Sequence, residues 1–428
     1  MLSFHLARRD VAWGLAVVLA ITLSGLLAVT AQATESPLTL EAAVQRGVAQ
    51  APLLAARSAD TDAMREESVR AGRLPDPSLT FGVANYPVTA PGAFSLRSDG
   101  MTMRTVGVMQ TIPSRATRDA ERSLASAQID AAEADHTATA QTVQERIADA
   151  WIGVWATQQK RVLLAELRDE SALAVKFTQA RLRGGEGSAA DALAARAETA
   201  ALDNRLEAVD ADLLAAQASL QRWLGQSVSV LAEAPDFGQL PVNPDRLEKN
   251  IDGQAPMQVW QAREQVAQAA LAQARAAKHP DWNLSLMYGK RAPGLSDMVT
   301  LQVGVSLPLF TRNRQDRGIS AKQAQSDAVQ DAHEDARRAQ REMVERTVAT
   351  WQGWGRQIQR YQETLLPLDR DRAKIALAGY RGGGSFQPWL DARRDDIELR
   401  VSYAEALAAR AQLWAALAYL LPTPETTP

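Results

Sequence analysis

Arg183-Gly184-Gly185-Glu186-Gly187-Ser188 interrupts a run, residues 114–234, that contains no proline. With nothing else to stop it, the run predicts one very long helix, a tight glycine turn and a second helix coming back. The first arm, ~68 residues at ~1.5 Å each, is on the order of 100 Å long. Such a helix needs packing partners along its whole extent, because isolated helices are marginal in water. The chain repeats the device around Arg381-Gly382-Gly383-Gly384-Ser385.

Working outward, the returning arm carries Leu202, Leu206, Val209, Leu213, Ala216, Leu220 and Trp223 at alternating steps of four and three, the spacing of a coiled-coil seam. Upstream, Pro75-Asp76-Pro77 ends a first helix that should run from 38 to 73 with Thr39 as its N-cap. A period-2 segment follows: Leu79, Phe81 and Val83 alternate with Ser78, Thr80, Gly82 and Ala84. It predicts a strand, about 78–86, with one apolar face. A proline- and glycine-bearing loop leads to a second strand, about 101–112, closed by Pro113.

Residues 257–421 repeat residues 34–235, with 236–256 as a proline-rich linker and 422–428 as a tail. His279-Pro280-Asp281 matches Leu74-Pro75-Asp76, and Val303-Gly304-Val305 matches Val106-Gly107-Val108. Strands are expected at about 282–289 and 298–309, and helical hairpins over 114–225 and 313–421. In the second hairpin Val344, Val348, Trp351, Gly355, Ile358 and Leu365 form one seam, with Pro367 expected to kink the helix. Ile397, Val401, Ala404, Ala408, Ala411 and Ala415 form the other seam. In each half the arm before the glycine turn is twice the arm after it, so the short opening helices are expected to stack end to end with the returning arms.

Composition narrows the function. A net charge of −3 argues against a nucleic-acid binder. The absence of cysteine excludes disulfides, thiolate metal sites and a lipid anchor on an N-terminal cysteine. Arg8 and Arg9, the apolar stretch 11–29 and Ala31-Gln32-Ala33 read as a signal peptide cleaved after Ala33. No later window is apolar enough for a membrane-spanning helix. Paired strands with one apolar face, in an exported chain, are the signature of a lipid-facing barrel. Four strands cannot close, and open edges are not tolerated in lipid. The chain should therefore share a barrel: eight strands in a dimer would be filled by side chains, while twelve in a trimer leave a lumen. A soluble helical bundle with a small sheet does not account for the matched apolar faces.

The duplicated layout resembles the TolC-like outer-membrane efflux channels, across essentially the whole mature chain. The pieces that carry the resemblance are Pro75-Asp76-Pro77, Val303-Gly304-Val305-Ser306-Leu307-Pro308-Leu309-Phe310, and Leu365-Leu366-Pro367 followed by Gly379-Tyr380-Arg381-Gly382-Gly383. Their order and repetition are more specific than any one of them. The resemblance implies a mainly α protein with a membrane β-barrel part. Three copies would form a twelve-stranded barrel and a long periplasmic α-helical tunnel. It implies a passive duct in the outer membrane of a Gram-negative bacterium, working with a periplasmic adaptor and a proton-driven inner-membrane pump. The compact halves and short outer loops are most similar to the heavy-metal (cobalt-zinc-cadmium type) efflux subgroup. Drug efflux or type I protein secretion through a similar duct, or a periplasmic adaptor, are the alternatives.

No catalytic constellation is present, neither a P-loop, nor G-x-S-x-G, nor H-E-x-x-H, so no enzyme activity and no cofactor are expected. His5, His136, His279 and His333 are scattered and read as isolated surface residues. Met101, Met103 and Met109 share one strand face; a soft-metal relay is one reading, and packing against lipid or lumen is the preferred one. The resemblance makes the glycine turns the periplasmic entrance and the adaptor contact: Arg183, Gly184, Gly185, Gly187 and Ser188, with Arg381, Gly382, Gly383, Gly384 and Ser385. It also places Asp191 and Asp391 just past the turns as a pore constriction, whose carboxylates would favour cations and resist closure at high pH. Pro388 stands where some relatives carry another Asp, so packing by Phe386 and Trp389 is expected to share in closing the gate.

Overall fold

A single uninterrupted helix, α3 (Arg115–Arg183, 69 residues), is the spine of the molecule. It starts where the Ser114 hydroxyl accepts from the Thr117 amide at 3.0 Å. The Ser114 amide donates to the Asp281 carboxylate at 2.7 Å, which ties this helix start to the second half of the chain. It stops at Gly184, and the left-handed Gly185 (φ 75°) lets the Glu186 amide reach the Arg181 carbonyl at 2.9 Å. The chain returns as α4 (Ala189–Leu224), capped by the Ser188 hydroxyl on the Asp191 amide and ended by Gly225 at φ 68°.

The computed structural model describes residues 37–421 apart from 90 and 229, so the expected signal peptide (1–33) and tail (422–428) lie outside the described residues. The remaining elements are α1 (Leu40–Gln50), α2 (Pro52–Arg70), β1 (Ser78–Ala84), β2 (Met103–Ile112), α5 (Pro244–Lys249), α6 (Ala255–Ala276), β3 (Trp282–Lys290), β4 (Met298–Val305), α7 (Gln315–Arg360), α8 (Leu366–Arg381) and α9 (Gln387–Ala418). Among the described residues no helix is long and apolar enough to cross a membrane.

The opening helices do stack end to end with the returning arms. The α2 end meets the start of α3, with Gly72 donating to Glu121 at 3.2 Å and Arg65 to Glu133 at 2.8 Å. Beyond the middle, α4 takes over, through Arg168 to Asp203 at 3.0 Å and Ser171 with Thr199 at 2.9 Å. In the second half α6 lies along α3 and α7, and α9 packs on α3, α7 and α8. The thickest core sits at mid-length, where Trp151 is fully buried. Its indole donates to the Leu38 carbonyl at 3.0 Å, and Trp351, its counterpart in the second half, donates to the Phe237 carbonyl at 3.2 Å. Each ring body buries apolar area worth about 4–6 kcal/mol before ordering costs, and each N–H anchors a connecting segment to the core.

Several expected boundaries shift, for local reasons. The first helix is two: Ala51 is extended (φ −68°, ψ 111°) because Pro52 follows it and starts a new helix. The second strand starts at Met103, not Met101, since the Met101 amide is held in a turn by Asp99 at 2.8 Å. The last strand ends at Val305, opposite Trp282 at the start of β3, so Leu307 to Phe310 have no ladder partner among the described residues. The last long helix starts at Gln315 after a 3₁₀ turn. Pro367 is accommodated by a π-turn, Tyr361–Leu365, where the Leu366 amide bonds to the Tyr361 carbonyl; the wider turn absorbs the missing proline N–H. The connection after α4 holds the short helix α5 and a β-bridge between Leu38 and Leu231. His333 is not an isolated surface residue: it lies 2.7 Å from Glu264 and stacks on Trp260 at 6.4 Å.

The sheet is antiparallel in the order β1-β2-β3-β4. Its register aligns Phe81, Val106, Tyr288 and Val299 in one row, and Leu79, Val108, Leu286 and Leu301 in the next. This face is bare in the single chain, with Phe81 75% and Leu301 68% exposed. The opposite face carries Thr80, Thr105, Ser285, Thr300 and Gln302 among small residues and four methionines. Among the described residues the two outer strands have free edges.

Candidate functional site

The two glycine turns come together at the end of the helices farthest from the sheet. Phe177 of α3 meets Tyr380 at 5.8 Å and Trp389 at 6.2 Å, both edge-on. Tyr380 stacks on Trp389 at 5.5 Å and meets Phe386 at 5.1 Å. This small aromatic core welds the two hairpins into one tip. Phe386 and Trp389 thus pack at the tip as expected, with Phe177 and Tyr380 as the partners that sequence reading did not assign.

Arg181 locks the same corner. Its guanidinium lies 4.4 Å over the Tyr380 ring, donates to the Tyr380 carbonyl and donates to the Glu186 carbonyl at 3.1 Å. One side chain therefore binds both glycine turns. Arg381 reaches the Phe177 ring at 6.0 Å. Asp191 accepts from the Tyr380 hydroxyl at 3.4 Å, so it is tied into the aromatic cluster. Burial, and then the Asp191 charge, push the Tyr380 phenol up. Asp391 is exposed and accepts from Gln387 at 2.7 Å. It lines an open groove between α8 and α9 with Leu368, Arg372, Ile375 and Ser385. The structure places Asp191 inside the tip's hydrogen-bond network and Asp391 outside it, so the two are not equivalent within one chain.

The glycines divide in the same way. Gly185 and Gly383 hold φ of 75° and 95°, the left-handed region that favours glycine. Gly184 and Gly382 have ordinary φ of −77° and −76°, and a Cβ there would meet only ordinary contacts at 3.4 Å or more. Turn geometry does not require glycine at these two positions.

Above the tip, charges pair across helices. Arg394 meets Glu198 at 2.9 Å, Arg372 meets Asp395 at 2.6 Å and Lys160 meets Glu405 at 2.8 Å. Arg400 reaches Glu170 at 3.3 Å and Arg393 lies 3.7 Å from Glu170. Burial pulls the Arg393 guanidinium down. Burial, and then the neighbouring Asp396, push the Asp369 carboxyl up. Arg181 left little sequence signal. The aromatic cluster left one: aromatics are 5% of the chain, yet Tyr380, Phe386 and Trp389 fall within one short turn.

Among the described residues no group of acidic and histidine side chains is placed to hold a metal ion. The arrangement is that of long helical hairpins with an apolar-faced sheet at one end and an aromatic-packed tip at the other. The outer membrane efflux protein family matches residues 43–226 and 249–422, once for each half, and the chain belongs to that family. It is an outer membrane efflux channel and not an enzyme. The cobalt-zinc-cadmium resistance protein CzcC of Cupriavidus metallidurans is 23% identical over 381 residues, covering 87% of each chain. A membrane protein from Pseudomonas aeruginosa superposes with a TM-score of 0.76 at 18% identity, covering 89% of this chain and 90% of its own. The channel-forming protein CusC superposes with a TM-score of 0.72 at 17% identity, covering 90% of this chain and 92% of its own. The outer membrane protein VceC of Vibrio cholerae does so with a TM-score of 0.72 at 16% identity, covering 88% and 94%.

Proposed function

We propose that the chain is the outer-membrane duct of a tripartite efflux pump, a homotrimer that carries heavy-metal cations from an inner-membrane pump to the outside. The observation that carries this is the four-stranded sheet with one bare apolar face and two free edges. Three copies joined edge to edge give twelve strands, remove every edge and turn the apolar face to lipid. Apolar side chains left bare on the helices support further contacts between chains: Leu173, Leu193, Leu214 and Ile375 are 62–73% exposed.

In this reading the helices form the periplasmic tunnel and the glycine turns form its closed entrance. Arg181 and Tyr380 hold each chain's two hairpins together at rest. Arg183, Gly184, Gly185, Gly187 and Ser188, with Arg381, Gly382, Gly383, Gly384 and Ser385, meet the tips of a periplasmic adaptor. Asp191 and Asp391 ring the constriction and favour cations. The likeness to a cobalt-zinc-cadmium resistance protein supports the cargo.

The test has two parts. The protein extracted from outer membranes is run unheated and heated on a denaturing gel; a heat-labile trimer is expected, and a monomer in the soluble periplasmic fraction overturns the duct. A deletion strain is then grown on divalent metals, monovalent silver and copper, and common drugs. Sensitivity to metals alone supports the cargo; sensitivity to drugs overturns it and leaves the duct standing.

A further inference from the structure

The two faces of the sheet differ in one unexpected respect. Four of the chain's nine methionines lie in its strands: Met103, Met109, Met287 and Met298. All four sit on the face opposite the apolar one. The apolar face, built from Leu, Val, Phe, Ile, Tyr and Trp with Gln110 and, at one end, the paired Arg104 and Lys290, has none. Greasiness alone would put methionine on the face that buries area, so the thioethers are on the wrong side for packing against lipid. The face that holds them has no charged residue in any of the four strands.

Three of these residues are neighbours of Gly289 on that face of the sheet. Met298 is its cross-strand partner in β4. Met287 precedes it by two residues on the same face of β3. Met103, in β2, leans over it: a Cβ at Gly289 would fall 2.9 Å from the Met103 sulfur. Gly289 is itself covered. The missing side chain is the space that the sulfur occupies.

We propose that Met103, Met287 and Met298 form a thioether site for a soft monovalent cation, copper(I) or silver(I), on the face that lines the channel. Thioethers are soft, neutral donors that lose no proton on binding, which suits such ions and not zinc or cobalt. A neutral site offsets the desolvation of one positive charge far better than of two. It also holds its ion weakly, as a passage must if the ion is to leave again. The place in the lumen rests on the barrel reading given above; the site itself lies within one protomer's sheet.

The full-length channel in chloride-free detergent solution is titrated with silver nitrate, and bound silver is counted by native mass spectrometry. The comparison is Met103→Leu/Met287→Leu/Met298→Leu, which keeps bulk and removes sulfur, with Gly289→Ala, which pushes the Met103 sulfur aside. The wild type is expected to hold a silver ion per protomer that zinc does not displace, and the triple variant to bind at least about tenfold more weakly. Equal binding by the triple variant, or ready displacement by zinc, overturns the site. Silver is also added to single channels in planar bilayers. Reduced conductance in the wild type alone places the site in the lumen; binding without any change in conductance overturns that placement. A chain that forms no conducting oligomer overturns the barrel reading, while the titration still decides the site.

Discussion

Arg181, at the end of the first long helix, lies 4.4 Å over the ring of Tyr380, at the end of the second, and donates to its carbonyl. The two residues are 199 apart in sequence and come from opposite halves of a duplicated chain. Separating the hairpins would break a charge-assisted hydrogen bond and a cation–π contact together, about 1–3 kcal/mol for the first and 0.5–2 for the second. Arg181→Ala is expected to raise the resting single-channel conductance or its open probability several-fold. Arg181→Lys should do much the same, because an ammonium lacks the fork that serves two carbonyls. Unchanged conductance in both variants would remove this pair from the gate.

The glycine turns separate folding from docking. Gly185→Ala and Gly383→Ala force a side chain into left-handed backbone and are expected to cost about 1–2 kcal/mol each, read as a lower dissociation temperature of the assembly. Gly184→Ala and Gly382→Ala meet no strain and should leave that temperature unchanged. If these two glycines serve close approach by an adaptor, the second pair loses export while the assembly melts normally. Normal export in the second pair would reduce the glycines to turn formers.

Acid is expected to tighten the packing of α8 on α9. Asp369 faces Asp396, Asp395 and Arg372, and burial together with Asp396 holds its carboxyl above its ordinary value of 3.8. A raised carboxyl favours the protonated form in the folded state. Its stabilising contribution is therefore complete below the ordinary value and is lost as pH rises through the raised one. Asp369→Asn should raise the melting temperature at neutral pH and flatten its dependence between neutral and mildly acidic pH. A parallel shift at all pH values would show that the effect is not protonation.

Adjacent residues of one strand should answer oppositely to charge. Leu301 is 68% exposed on the apolar face, and Gln302 points to the other face. Leu301→Arg is expected to cost about 2–4 kcal/mol on membrane insertion, seen as loss of assembled protein from the outer membrane. Gln302→Arg should assemble and shift ion selectivity toward anions. The reverse pattern would turn the sheet inside out.

Much of this architecture was readable in the chain because its signals are local. The absence of proline and the cluster at Gly184–Gly185 specify a hairpin whatever surrounds it, and strict alternation in β4 specifies a two-faced strand. Repetition doubled each signal. Local exceptions escaped for equally local reasons: Pro52 divides the first helix by restricting Ala51, and a π-turn before Pro367 accommodates the expected kink.

Periodicity and punctuation in the sequence by themselves determined the elements, their order and the duplication, since backbone preference acts over a few residues. Which side chains meet across the two halves was decided only by the tertiary structure. Nothing near Arg181 announces Tyr380, and nothing near Gly289 announces Met103, because these contacts form only when distant segments pack. The sheet register then sorts the methionines to one face, as the two-residue strand period requires once pairing is set.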